Sequence, residues 1–253
     1  MAKKQDSSAA SVRAFAVLDA LVVDDGPVTL AEIAGRVTLP KPTVHRLLAQ
    51  LETAQLVSRE PEGRRFGVGP RLSQLALRVL TNSTVRGARH AILQGLVDEL
   101  GETCNLTMLD GAQIVYLDRV ETPSPLRVNL QPGSRVPLHS TASGKLLLAL
   151  LPAARRGRLL AQMRLDRQTE NTLVDRAALE EELKRVRRDK VGVDAEEFVT
   201  GLVCVAVPIV ASDGHAIAAV AVQAPVARMP LERALGHVTR LRVAAAALAG
   251  SFE

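Results

Sequence analysis

"LPKPTVHRLLAQL", residues 39–51, sets two prolines and a lysine ahead of a run with one apolar face. Val44, Leu47, Leu48 and Leu51 fall at i, i+3, i+4 and i+7, the stripe of a helix buried along one side. Pro42 sits in the first turn, where its missing N–H costs nothing. The opposite face carries Thr43, Arg46 and Gln50, with Lys41 and His45 close by. Water is always an available partner for a polar helix face, so the flanking sequence must decide what this one touches.

Upstream, a helix is expected from an N-cap near Ser11 through Phe15, Leu18, Leu21 and Val22, until "DDGP" stops it. A second opens at Thr29, which forms a capping box with Glu32 and leads a stripe of Leu30, Ile33, Ala34 and Val37. The turn "TLPK" joins it to the opening helix, giving two short amphipathic helices in the helix-turn-helix order. Downstream, "LVSREPEGRRFGVG" changes period: two extended runs flank "PEG", a hairpin with Arg59 on one arm and Arg64 and Arg65 after the turn.

A helix, a helix-turn-helix pair and a basic hairpin are the parts of a winged helix-turn-helix. Residues 36–71 carry seven Lys/Arg against three Asp/Glu, so the charge lies where such a domain meets DNA. Thr43 and Arg46 are expected at base edges: arginine pairs bidentately with guanine, and a threonine methyl can touch thymine. Lys41, Arg59, Arg64 and Arg65 are expected on phosphates, which positions the domain without reading sequence. His45 is open to a base contact or a surface role; Gln50 and Thr29 complete the candidate DNA-binding set. One small winged domain makes few base contacts, so two copies on a palindromic operator in double-stranded DNA are expected.

Composition bounds the rest. A chain of 253 residues with 47% hydrophobic content is not disordered. Aromatics at 2% argue against a single-strand binder that grips by base stacking. Cys104 and Cys204 give neither a disulfide framework nor a paired zinc spacing. The longest apolar stretch, "LVCVAVPIVA", is too short to cross a bilayer, and "MAKKQDSSAA" lacks the apolar run of a secretion signal. The expectation is a soluble cytoplasmic protein without membrane contact. A second basic block, residues 151–190 with eleven Lys/Arg against seven Asp/Glu, has its charges interleaved and reads as solvated helix.

The expected organisation is a DNA-binding domain over 1–69, a connecting helix over 70–85 with a Leu72, Leu75, Ala76 and Val79 stripe, and an α+β domain over 86–253. In the last, the helix "RGARHAILQGLVDELG" precedes "TCNLTML", "AQIVYLDRV" and "PLRVNL", β-prone runs of which the first two are joined at "DG". "STASGKLLLALLP", "RRGRLLAQM" and "DRAALEEELKRVRRD" return to helix. "VCVAVPIVA" and "AIAAVAVQ" then form a buried hairpin before an alanine-rich helix after Pro230.

Three tempting chemistries fail on inspection. "ASGKLL" is not a phosphate loop, because His139 stands where the first glycine belongs and leucine follows Lys145. Cys204, His139 and Asp194 lack the elbow of a nucleophilic triad, and Cys204 reads as a small core residue. Cys104, His139, Cys204 and His215 are too scattered to suggest a metal site. No cofactor is expected.

"LAEIAGRVTLPKPTVHRLLAQLETAQLVSRE" resembles the DNA-binding end of IclR-type transcriptional regulators, and "VPLHSTASGKLLLALLP" with "VGVDAEEFVTGLVCVAVPIVASDGHAIAAVAVQAP" resembles their effector-binding domain. The resemblance runs from about residue 9 to the end. It implies a GAF-like C-terminal domain that binds a small organic acid or aromatic metabolite, in chains that assemble as homodimers or homotetramers. It places Ala142 and Ser143 at the pocket's helix turn, Asp194 and Cys204 opposite, and Ala221 and Gln223 on the last strand. Val128, Val136 and Leu202 correspond to apolar wall positions.

Ser143 and Gly144 would then open a helix whose free N–H groups suit a carboxylate. Members that bind small 2-oxo acids tend to carry two serines on the last strand. Ala221 and Gln223 stand there in this chain, which points to an acid larger than pyruvate. Two other classes compete with a ligand-responsive regulator: an architectural DNA-binding protein, which no ligand would affect, and a DNA-binding domain fused to an enzyme that depends on Cys204.

Overall fold

The structure, a computed structural model, describes residues 9–23, 26–125, 128 and 130–252, and the chain divides into two compact units, Met1–Val79 and Leu80–Glu253. The first contains α1 (Ala10–Val22), β1 (Val28–Thr29), α2 (Leu30–Arg36), α3 (Lys41–Thr53), β2 (Val57–Arg59) and β3 (Arg65–Val68), and α4 (Pro70–Thr81) spans the division. Val44, Leu47, Leu48 and Leu51 of α3 pack with Leu18 and Leu21 of α1, Ile33 of α2 and Phe66 of β3. The stripe read from the sequence is therefore the buried face of α3.

The capping box at α2 is complete: Glu32 N–H donates to Thr29 Oγ1 at 3.3 Å, and Thr29 N–H to Glu32 Oε2 at 2.6 Å. The cap expected at Ser11 is not there; α1 starts at Ala10 with Ala9 in the N-cap position and no side-chain cap. Residues 24 and 25 of the expected "DDGP" stop lie outside the described residues. The hairpin is joined by an extra strand, β1, to make an antiparallel sheet ordered β1-β3-β2. Two residues are too few to show a period in sequence.

The second unit continues with α5 (Ser83–Leu100), β4 (Thr103–Asp110), β5 (Gln113–Val120), β6 (Arg135–Pro137), α6 (Ala142–Leu150), α7 (Ala153–Gln162) and α8 (Arg176–Asp189). It ends with β7 (Gly192–Ala195), β8 (Leu202–Val210), β9 (Ala216–Pro225), α9 (Leu231–Gly236) and α10 (Val238–Ala249). Its six strands form an antiparallel sheet ordered β6-β5-β4-β9-β8-β7. Two of them, β6 and β7, are short and lack a legible alternation. The expected run "PLRVNL" falls partly on residues 126, 127 and 129, outside the described residues, and Val128 and Leu130 are not in a strand. The tail is two helices rather than one.

Helices α5 and α10 cover one face of this sheet, and α6, backed by α8, covers the other. Small side chains let α6 come close: Ala206, Ala219 and Ala221 of the central strands share a core with Leu146 and Leu147. Gly192 makes the closest approach, since a Cβ there would lie 2.1 Å from the Ala142 carbonyl oxygen. That contact places the start of α6 against β7.

Candidate functional site

On α3, the face opposite the core presents Lys41, His45, Arg46 and Gln50 as exposed side chains and Thr43 as a half-buried one. Lys41, His45, Arg46 and Gln50 make no side-chain hydrogen bond or ion pair among the described residues. Arg64, at the tip of the β2–β3 hairpin, is likewise exposed and unpaired among them. The other two hairpin arginines are engaged. Arg59 pairs with Glu52 at 3.1 Å and lies 4.7 Å over the Phe66 ring, and Arg65 donates to the Pro27 carbonyl at 2.9 Å. Thr29 spends its hydroxyl and its N–H on the α2 cap. These exposed cations and amides cluster along one helix and one hairpin, the form an electrostatic footprint for DNA takes.

The second unit holds a cleft between the start of α6 and the sheet. Seven residues singled out in the sequence meet there: Val136, Ala142, Ser143, Asp194, Cys204, Ala221 and Gln223. Pairing across the strands explains the convergence. Asp194, Cys204, Gln223 and Thr103 form one cross-strand row, and Gly192, Ala206, Ala221, Asn105 and Arg119 the next on the same face. The cleft is small, with room for about one water. Two expected wall residues lie elsewhere: Leu202 is buried at the head of β8, and Val128 contributes its carbonyl, which accepts from Arg119 Nη2 at 2.5 Å.

The helix start differs from expectation in one respect. Thr141 is the N-cap, and its Oγ1 accepts from Gly144 N–H at 3.3 Å, so that donor is used internally. The N–H groups of Ala142 and Ser143 are left without an acceptor among the described residues. Asp194 lies on β7 two residues along from Gly192, the position that approaches the start of α6. Its Oδ1 accepts from Glu197 N–H at 2.8 Å and Phe198 N–H at 3.3 Å. Burial outweighs those bonds and pushes its carboxyl up to about 7. Glu197 in turn pairs with the buried Lys145 of α6, which also lies 3.4 Å from Glu182.

Cys204 is not poised as a nucleophile. Burial, with Asp194 beside it, raises its thiol well above the ordinary range. His139 directs its Nε2 to the Asp166 carbonyl at 2.9 Å. Among the described residues no three His, Cys, Asp or Glu side chains gather where they could hold a metal ion, and no helix is long and apolar enough to cross a membrane.

Residues 10–61 match the IclR helix-turn-helix domain, and residues 77–249 match the bacterial transcriptional regulator IclR C-terminal family. The chain belongs to the IclR family of transcriptional regulators. It is 51% identical to the probable transcriptional regulator SauR of Cupriavidus necator, over 97% of this chain and 98% of that one. Among solved structures it resembles the IclR protein of Thermotoga maritima, with 29% identity, a TM-score of 0.64, and 94% and 96% of the two chains covered. It also resembles an IclR homolog from Microbacterium hydrocarbonoxydans complexed with 4-hydroxybenzoate, with 25% identity, a TM-score of 0.60, and 94% and 97% covered.

Within this IclR-family chain the sequence reading missed the polar wall of the cleft: Asn105, Thr107, Tyr116, Thr141 and, just behind them, Arg119. One signal was present. "IVYLDRV" sets an Asp-Arg pair inside an otherwise apolar strand, a place where charge needs a partner. A register shift between Leu106 and Thr107 decides which charge faces which way. Strict alternation from Ile114 and Tyr116 would turn Asp118 to the cleft. The bulge instead pairs Asp118 with Leu106 and Arg119 with Asn105. Asp118 thus meets His90 and Arg86 of α5, at 3.1 Å and 3.4 Å, and Arg119 faces the cleft side.

Proposed function

We propose that this IclR-family regulator senses a small organic acid in the α6 cleft and couples its binding to the affinity of α3 and the hairpin for an operator. The observation that carries the reading is the cleft itself. Two helix-start N–H groups without an acceptor among the described residues lie at a small cleft whose wall mixes Ile114, Val136, Phe198 and Ala221 with Asn105, Thr107, Ser143 and Gln223, which suits a carboxylate on a small body that carries a polar group. The 4-hydroxybenzoate held by the Microbacterium homolog is an acid of this kind. Asp194, largely neutral below its raised pKa, repels such a ligand less than an ordinary carboxylate would. Because the cleft has room for one water, an acid larger than pyruvate must open it. That opening supplies the two states a ligand-linked change requires.

The domain reading is 1–69 for DNA, 70–85 for a connecting helix and 86–253 for a GAF-like effector domain, with helices on both faces of one sheet. On α4, Leu75 is 52% and Val79 50% exposed, an apolar pair suited to a twofold contact. Homodimers or tetramers on a palindromic operator follow from that face and from the few bases one α3 can reach. Arg46 and Thr43 read bases; Lys41 and Arg64 neutralise phosphates, with Arg65 and the Glu52-paired Arg59 in lesser parts.

Calorimetry with aliphatic and aromatic acids on wild type, Asp194→Ala and Gln223→Ser tests the site. An acid larger than pyruvate should bind wild type and bind both variants differently. Tight binding of pyruvate or glyoxylate to wild type overturns the size argument, and unchanged affinity in both variants moves the site elsewhere.

A further inference from the structure

Arg119 is buried by its place in the sheet, with only 7% of its surface exposed, and one of its donors, Nη1, is spent on the cleft wall. Nη1 donates to Asn105 Oδ1 at 2.8 Å and to Gln223 Oε1 at 3.0 Å, and Nε lies 3.4 Å from Glu121 Oε1. A guanidinium offers donors only, so both amides must turn their oxygens towards it. Asn105 Nδ2 also turns to Gln223 Oε1, at 3.5 Å. The Gln223 oxygen is therefore filled from two sides. What the amide has left for the cleft it lines is Nε2, a donor.

We propose that Arg119 is a positioning residue that sets the polarity of the effector site's far end. By holding the Gln223 oxygen it presents Nε2 to the ligand, and so selects an acid whose far end is an acceptor, a second carboxylate or a ketone, over one ending in an amine. This rests on the reading of the cleft as an acid site. The β4–β5 bulge is the structural origin of the arrangement, since it is what brings Arg119 to this face.

The test is calorimetry on the full chain with two series that share the near carboxylate. One is glutarate, 5-oxohexanoate and 5-aminopentanoate; the other is terephthalate, 4-acetylbenzoate and 4-aminobenzoate. Wild type should favour the carboxylate- and ketone-ended members over the amine-ended one by about tenfold or more, the worth of one well-made hydrogen bond. Gln223→Glu keeps the shape and the Arg119 partner but replaces the Nε2 donor with an acceptor, and should invert the preference. Arg119→Met releases the amide and should shrink the preference to within about threefold, with Arg119→Lys restoring most of it. If Arg119→Met does not fold, Gln223→Glu still decides, because its carboxylate leaves the guanidinium paired. A wild-type preference for the amine, no preference at all, a preference that Gln223→Glu leaves intact, or one that a folded Arg119→Met keeps at full size overturns the proposal. If no acid of either series binds wild type, the acid reading of the cleft fails instead, a different result from acids that bind without discrimination.

Discussion

The polar side chains on α3 and those in and behind the wall of the α6 cleft are held in opposite ways. Lys41, Arg46 and Gln50 stand exposed and unpaired among the described residues, whereas Arg119, Lys145 and Asp194 are buried and each already grips a neighbour. The difference is the one expected if α3 meets DNA and the cleft a small acid, as proposed. A polyanion brings many charges and releases counterions, so the protein can leave its cations in water until contact. A small buried cleft cannot: an isolated buried charge costs several kcal/mol, and its groups must be paired before a ligand comes. Ligand binding there is then an exchange of partners, and such an exchange moves side chains.

That contrast can be broken most sharply at Lys145. Lys145→Met leaves Glu197 buried without its cation, and should cost about 3–5 kcal/mol of stability in a denaturant titration. A loss under about 1 kcal/mol would show that the Lys145 ion pair does not hold this part of the domain together.

Arg46→Ala should do the reverse: leave the denaturation midpoint in place and cost about 1–3 kcal/mol on a specific duplex. Unchanged specific affinity would mean that α3 does not read bases through this residue.

Proton linkage separates the two regions further. The folded chain holds the Asp194 proton up to about pH 7, against an ordinary value of 3.8 in the unfolded chain. Between those values the folded state binds the extra proton, so this group makes stability fall as pH rises from about 4 to about 7. Asp194→Asn should flatten that part of the profile, measured by thermal melts across pH. A profile identical to wild type would place the titration on another group. The smallest effect is expected at Arg64, where alanine should weaken specific and scrambled duplexes alike and reduce the salt slope by about one. Discrimination between the duplexes lost at Arg64 would reassign it to base reading.

The same contrast explains what could be read from sequence. The α2–α3 pair was legible because its signals are local: a capping box within four residues, a proline in the first turn, a stripe at helical spacing. The cleft is assembled from β4, β5, β6, β7, β8, β9 and α6, far apart in the chain. Family resemblance supplied seven of its positions, but no local pattern announces that Arg119 faces Gln223. One extra residue at the Leu106–Thr107 register shift reverses every inference drawn from alternation beyond it. Thr141 escaped for a related reason, since "STASG" offers several residues able to cap and only the fold shows which one does.

The most direct measurement is reciprocal linkage on the full chain. An acid that binds in calorimetry is titrated with and without an operator duplex selected from genomic fragments, and duplex affinity is measured by anisotropy with and without that acid. If the cleft and α3 are two sites of one switch, the acid changes duplex affinity by some factor and the duplex changes acid affinity by the same factor. An acid that binds the cleft while both affinities stay unchanged would contradict the account.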